Sequence, residues 1–344
     1  MTNRAAWLQE KQQVPLKIDD APMWEPEGDE VLIRNHAVAI NPVDWAVQAL
    51  GIIATKYPHI LGCDVAGEVI AVGLDVKNFK KGDRVVAGAS GSETNSKSGA
   101  FQLYCCVTSK LVSKLPDNVS YTDAAVLPLG LSTAAVSLFQ KDTLALPHPQ
   151  INPKPNGKVI LVWGGGSSVG SNGVQLAKAA GFEVAATASA HNFDYLKGLG
   201  ADYVFDARKE DVVDDIVTTL KGKEFGGAFA AISEPDTIRK CAQIASKLGG
   251  NKFVATVLPG PPTMAVPEGL PADVKTSYCW GSSLKHNEVG DAIYGKWVTA
   301  ALANGQLKCK PDPLVVGQGL GKIQDALAKW REGVSARKVV VELP

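Results

Sequence analysis

An α/β fold, in which a doubly wound parallel sheet is joined to a separate β-rich portion, follows from three observations on the sequence. Apparent strands and helices alternate from about residue 129 to residue 286, and the strands there are apolar almost throughout. Residues 1–128 instead consist of short β-branched runs broken up by glycine and proline. Strict alternation implies βαβ units whose parallel sheet is covered on both faces. Short runs between turn residues imply an irregular antiparallel domain. The 344 residues suit two cores better than one. The expected division sets 1–128 with 287–344 against 129–286.

In the first portion, "EVLIRNHAVAINPVD" and "DVAGEVIAVG" read as strands, and "KKGDRVVA" as a turn entering a strand. After Pro128, "LSTAAVSLFQ" reads as a helix, "GKVILVWG" as a buried strand, and "NGVQLAKAAG" as a helix closed at Gly181. Strand "FEVAATAS", helix "HNFDYLKGLG" and strand "ADYVFD" come next. Helix "KEDVVDDIVTTLK", strand "GAFAAI", helix "DTIRKCAQIASKLG" and strand "NKFVATV" complete the alternation. The Pro/Gly-rich 258–274 is a long connection and a candidate lid, and "SYCWGSS" (277–283) reads as a strand at the sheet edge. Residues 289–305 and 319–333 read as amphipathic helices. The closing strand "ARKVVVEL" has no helix after it, which suits a return to the first domain.

Composition excludes several classes of function. Hydrophobic residues make up 45% and charged residues 20%, the balance of an ordinary globular chain. Thirty-five basic and 35 acidic side chains cancel, and no basic arm appears, so no nucleic-acid partner is expected. The six cysteines form no Cys-x-x-Cys pair and read as reduced thiols. "MTNRAAWLQEKQQ" has no apolar signal core, and no segment reads as long enough to span a bilayer. A cytoplasmic protein without a membrane partner is the expectation.

"LVWGGGSSVGSNGVQLAKAAG" (161–181) then identifies the α/β portion as a Rossmann domain. A glycine turn between a strand and a helix is the setting a dinucleotide fingerprint requires. The spacing is Gly164-x-x-Ser167-x-x-Gly170 rather than G-x-G-x-x-G. Gly164 suits the tight turn, Gly170 lets the helix lie close to the sheet, and Ser167 is small enough for a pyrophosphate to approach. Gly165, Gly166, Ser168 and Val169 complete the cradle, with the anion held at the helix N-terminus. At the end of the second strand, where NAD enzymes place an acid on the ribose 2′-hydroxyl, the sequence reads "TASAHN". Ser189, His191 and Asn192 can donate to a 2′-phosphate that a carboxylate would repel, so NADPH is the expected cofactor. Arg208, after the third strand, is a candidate extra cation. Tyr57, whose phenol precedes "PHILGCD", is the candidate proton donor or oxyanion partner.

Over nearly its whole length the chain resembles the medium-chain dehydrogenase/reductase superfamily. The resemblance rests on "INPVDW", "YPHILGCDVAGEVIAVG", "KKGDRVVA", "GAFQLYCCV", "AAVLPLGLSTAA", the glycine turn and "GVSARKVVVEL". It is closest to the zinc-independent quinone-oxidoreductase-like branch. Within that branch it looks most like the fungal enoyl reductases acting with polyketide synthases and the concanamycin-induced-protein-B type of "zinc-binding" oxidoreductase. The resemblance implies a GroES-like catalytic domain beside the Rossmann domain, with nicotinamide in the cleft between them. It also implies places near the nicotinamide and substrate for Asn41, Asp44 and Thr133. The same residues suit local roles: Asn41 before Pro42 a turn, Asp44 a helix cap, and Thr133 a back-bond within its helix.

Zinc is not expected. The positions where zinc alcohol dehydrogenases carry ligands read Asn41-Pro42-Val43-Asp44, Gly62-Cys63-Asp64 and "LPLGLSTA", and "GASGSETNSKSG" lacks the four-cysteine lobe. Cys63 and Asp64 alone make too few ligands. Without a Lewis acid, hydride addition to a conjugated acceptor is easier than to a plain carbonyl, because charge develops as an enolate that hydrogen-bond donors stabilise. The expected activity is therefore NADPH-dependent reduction of a small enone, enoyl compound or quinone. Two alternatives stay open, a trans-acting enoyl reductase partnering a polyketide synthase and a non-enzymatic NADPH-binding protein. Ala46, where the fungal enoyl reductases often carry lysine after "NPxDW", weighs against the first. Ala207, where relatives often have tyrosine, weakens the expected grip on a 2′-phosphate. A monomer and a homodimer are both compatible with the sequence.

Overall fold

The computed structural model describes residues 2–54, 56–91, 95–257 and 266–344. Two compact units emerge. The first comprises Met1–Leu129, Tyr294–Ala303 and Cys309–Pro344, and the second comprises Gly130–Ile293 and Asn304–Lys308.

The first unit contains β1 (Asn3–Leu8), β2 (Lys17–Ala21), β3 (Glu30–Ala39), α1 (Pro42–Leu50) and β4 (His59–Ile60). It continues through β5 (Asp64–Val72), β6 (Arg84–Gly88), β7 (Tyr104–Thr108), β8 (Val112–Lys114) and α2 (Tyr121–Ala124). The helix α3 (Pro128–Phe139) then carries the chain into the second unit. Alternate side chains of β3 and β5, including Val31, Ile33, Val65 and Val69, enter one apolar core with Phe101 and the closing strand's Val339 and Val341. Each such residue, once buried, contributes about 1.5–3 kcal/mol. The pairing is mostly antiparallel, as short alternating runs require.

Six parallel strands form the sheet of the second unit: β9 (Lys158–Trp163), β10 (Glu183–Ala188), β11 (Tyr203–Asp206), β12 (Glu224–Ala230), β13 (Phe253–Thr256) and β14 (Lys275–Ser277). Their spatial order is β11-β10-β9-β12-β13-β14. The crossovers are α4 (Ser168–Ala179), α5 (Phe193–Leu199), α6 (Val212–Leu220) and α7 (Pro235–Lys247). Direction of winding reverses between β9 and β12, and ligands of doubly wound sheets bind beyond the strand ends at such a reversal. The glycine turn leaves β9 at that point.

Beyond it, a helical run from Glu288 to Ala303 contains a π-helical stretch, Asp291–Trp297. β15 (Asp312–Gln318) and β16 (Arg337–Glu342) then join the first unit's sheet, with β16 pairing antiparallel to β3. "ARKVVVEL" thus returns to the first domain.

Three expectations change. The return expected at residue 287 comes at Tyr294, because Asn287 is bonded to Gln140 and Ser283 of the second unit. "SYCWGSS" is mostly not a strand: the edge strand ends at Ser277, and Gly281–His286 is a 3-10 helix. One stretch, Tyr121–Phe139, is after all long and apolar enough to cross a membrane by length and composition. With 78% of its most apolar window buried, its apolar side chains serve as core.

Candidate active site

The turn between β9 and α4 is closed by its own side chains. Gly164 takes φ +82°, the left-handed region. Its N–H donates to Thr187 Oγ1 at 3.0 Å, and the N–H of Gly165 donates to the Thr187 carbonyl at 2.8 Å, so the end of β10 holds the turn. A Cβ on Gly170 would lie 2.2 Å from the Gly164 carbonyl oxygen, so only glycine lets α4 begin this close to the strand. Ser167 does more than stay small. Its Oγ accepts the Gly170 N–H at 3.0 Å and donates to the Gly164 carbonyl at 2.8 Å, an N-cap worth about 1 kcal/mol. Gly166, Ser167, Ser168 and Val169 are the partly exposed members of the turn. Ser168 and Val169 open the helix, and their N–H groups have no carbonyl one turn earlier to bond. Ser168 Oγ and, one turn on, Asn172 Oδ1 are buried polar atoms without a partner. Such a cradle fits a dinucleotide pyrophosphate.

At the end of β10, Ser189 caps a short 3-10 helix containing His191 and Asn192. Asn192 lies against the turn, its Nδ2 3.4 Å from where a Cβ on Gly166 would be, and His191 is exposed. Arg208, after β11, has an exposed side chain. Its Nε lies 3.4 Å from Asp206 Oδ1, which also accepts the Arg208 N–H at 3.0 Å, so the neighbouring acid holds the guanidinium.

A second constellation lies within the first unit. Asn41 precedes α1, whose first residue is Pro42. Asp44 Oδ2 accepts the Asn41 N–H at 2.8 Å, the carboxylate half of a capping box. The Asn41 side chain points elsewhere: Nδ2 donates to Asp64 Oδ2 at 2.8 Å, and Oδ1 accepts from Lys338 Nζ at 2.5 Å. Lys338 also lies 2.9 Å from Asp64 Oδ2, with side chains only 5% and 0% exposed. Asp64 Oδ1 accepts the N–H of Leu129, in the first turn of α3, at 2.6 Å. Cys63 Sγ faces Asp44 Oδ1 at 3.8 Å. Burial, helped by the nearby Asp64 carboxylate, pushes Asp44 up to about 7.

Of the four predicted catalytic residues, the structure gathers two, Asn41 and Asp44. Tyr57 is half-buried against the first unit's core, and its hydroxyl donates to the Ala54 carbonyl at 3.3 Å. Thr133 belongs to the second unit, on α3, where its carbonyl accepts from Cys279 Sγ at 3.5 Å. His59 is buried, with Nε2 2.9 Å from the Gly91 carbonyl oxygen and Nδ1 3.3 Å from Ser96 Oγ. Burial lowers its pKa. The candidate lid at 258–274 lies outside the described residues as far as 265. Asp64, weighed in the sequence only as a poor metal ligand, is the hub of the network, and Lys338 was missed altogether. The one available signal was a lysine directly before the apolar run Val339–Val341.

A dinucleotide-type turn at a winding reversal, in a chain that also carries a β-rich unit with a buried polar cluster, defines a two-domain dehydrogenase. Residues 27–117 match the alcohol dehydrogenase GroES-like domain family, and residues 168–292 match the zinc-binding dehydrogenase family. The chain belongs to the medium-chain dehydrogenase/reductase superfamily and is an oxidoreductase. It is 43% identical over 347 residues to the zinc-binding alcohol dehydrogenase domain-containing protein cipB of Emericella nidulans, covering 100% of this chain and 99% of that protein. It is 38% identical over 347 residues to the trans-enoyl reductase himH of Aspergillus japonicus, covering 100% and 98%. The crystal structure of an alcohol dehydrogenase superfamily protein from Novosphingobium aromaticivorans superposes with a TM-score of 0.80 at 23% identity, covering 100% of each chain. The superfamily implies a nicotinamide cofactor. Among the described residues no three His, Cys, Asp or Glu side chains are grouped to hold a metal ion.

Proposed function

We propose that this oxidoreductase is an NADPH-dependent, zinc-independent reductase of activated carbon–carbon double bonds or quinones. The observation that carries the reading is the Lys338 ammonium on Asp64, because it puts a fixed cation where the acidic and thiol groups of the first unit converge. A metal ion there would have to displace a paired charge. Bound nicotinamide would supply the hydride, and a conjugated acceptor takes hydride without a Lewis acid. Gly164, Gly165, Gly166, Ser167, Ser168, Val169 and Gly170 would hold the pyrophosphate. Ser189, His191 and Asn192 would take the 2′-phosphate, with no carboxylate among them to repel it. Arg208, whose Nε faces Asp206, would add its remaining N–H donors. Asn41 and Thr133 would hold the reacting groups, while Asp44 supports Asn41 from behind. The partner is a small molecule, and both a monomer and a homodimer suit this chemistry.

A second reading has its own support: himH, 38% identical over 347 residues, is a trans-enoyl reductase, which favours an acceptor presented on a carrier protein. Loss of NADPH absorbance with a small enone, an enoyl thioester and a quinone, each with and without a chelator, tests both. Chelator-insensitive reduction of one class is the expected result. Turnover that requires stoichiometric zinc would overturn the zinc-independent reading. Turnover confined to a carrier-tethered thioester would favour the second.

A further inference from the structure

Asp64 is shared by three distant segments: Asn41 at the head of α1, Leu129 in the first turn of α3, and Lys338 on β16. Buried ion pairs are often no more stabilising than apolar side chains of similar volume, so this one calls for an explanation other than stability. The geometry supplies one. An ammonium cannot accept a hydrogen bond and an ionised carboxylate cannot donate one, so the Asn41 amide satisfies both neighbours in only one orientation. Without the ammonium, Asp64 is an uncompensated buried anion. The Asn41 Oδ1 also loses its donor, so one of the two contacts that fix the amide's orientation is gone.

We propose that Lys338 is a positioning residue: its ammonium, held between Asp64 Oδ2 and Asn41 Oδ1, fixes the Asn41 amide against Asp64, which in turn holds the first turn of α3, the helix that carries Thr133. Resting on the reductase reading, this adds a residue of β16 to the network around Asn41 in the first unit.

The test uses the full chain with NADPH and crotonyl-N-acetylcysteamine as acceptor. Lys338→Met keeps most of the stem and removes the charge. It should lower kcat on the order of 10-fold to 100-fold with KM for NADPH within about twofold, and Lys338→Arg should recover most of the loss. A methionine variant with wild-type kcat, or an arginine variant as impaired as the methionine one, overturns the proposal. If Lys338→Met does not fold, the double variant Asp64→Asn with Lys338→Met removes both charges. Lowered kcat in that folded protein supports the positioning role, and wild-type kcat overturns it. Hydrogen exchange gives a readout independent of turnover. In the methionine variant the Leu129 backbone amide, which donates to Asp64 Oδ1, should exchange at least about tenfold faster than in wild type, and unchanged exchange overturns the proposal. Wild-type protein that reduces no acceptor, while the methionine variant still shows faster exchange, defeats the reductase reading alone.

Discussion

Replacing Asp44 by asparagine separates the cost of burying its charge from the value of its hydrogen bonds. The folded protein holds this carboxyl near 7 against an ordinary value of 3.8. At about 1.4 kcal/mol per pH unit, ionising it in place costs roughly 4 kcal/mol. The sign follows from proton counting. Between 3.8 and about 7 the folded chain keeps a proton that the unfolded chain has released, so stability falls as pH rises through that window and levels off above it. The asparagine variant would have no charge to bury at this position, and its side-chain carbonyl oxygen could still accept the Asn41 N–H that Asp44 now accepts at 2.8 Å. Urea unfolding of the wild type and of Asp44→Asn, followed by tryptophan fluorescence, gives the difference at each pH. From about pH 5 to about pH 8 that difference should move in favour of the variant by roughly 3 kcal/mol. A difference that stays flat across the range would refute the buried-acid argument, whatever its absolute size.

Two further substitutions probe the candidate site. Gly170→Ala places a methyl 2.2 Å from the Gly164 carbonyl oxygen, which a rigid turn cannot absorb. It should destabilise the second unit by about 1–3 kcal/mol and weaken NADPH binding, as measured by fluorescence titration. Tyr57→Phe removes a single 3.3 Å hydrogen bond to Ala54 and should leave kcat within about twofold. A loss of 100-fold or more would restore Tyr57 as the proton donor.

The second unit was readable from sequence because its signals are local. Apolar runs gave the strands, and Gly164, Gly170, Gly181 and Gly200 marked turns that their positive φ or close backbone approach now accounts for. The polar network was readable only in part. Asn41 and Asp44 stand three residues apart and were singled out together, but what Asn41 bonds lies far along the chain, and no periodicity connects it to Lys338. Side-chain direction was the other blind spot. Arg208 turns to Asp206 two residues earlier, and Ser167 turns back into its own turn. His59 is held inward by Gly91 and Ser96, neither of which neighbours it in sequence. The edge strand stopped short of its predicted end because a 3-10 helix takes over at Gly281.

The pairing of β16 with β3 also sets an order of assembly on a growing chain. Lys338 reaches Asn41 across 297 residues, and Val340 pairs with Ala39 over a similar span. Most of the second unit is one continuous run, Gly130–Ile293, and is synthesised before β16 exists. Until then the Val38–Ala39 edge of β3 lacks its β16 partner, and Asp64 lacks its lysine. Lys338, the partner of Asp64, is therefore delivered to the first unit only after that whole run has been made.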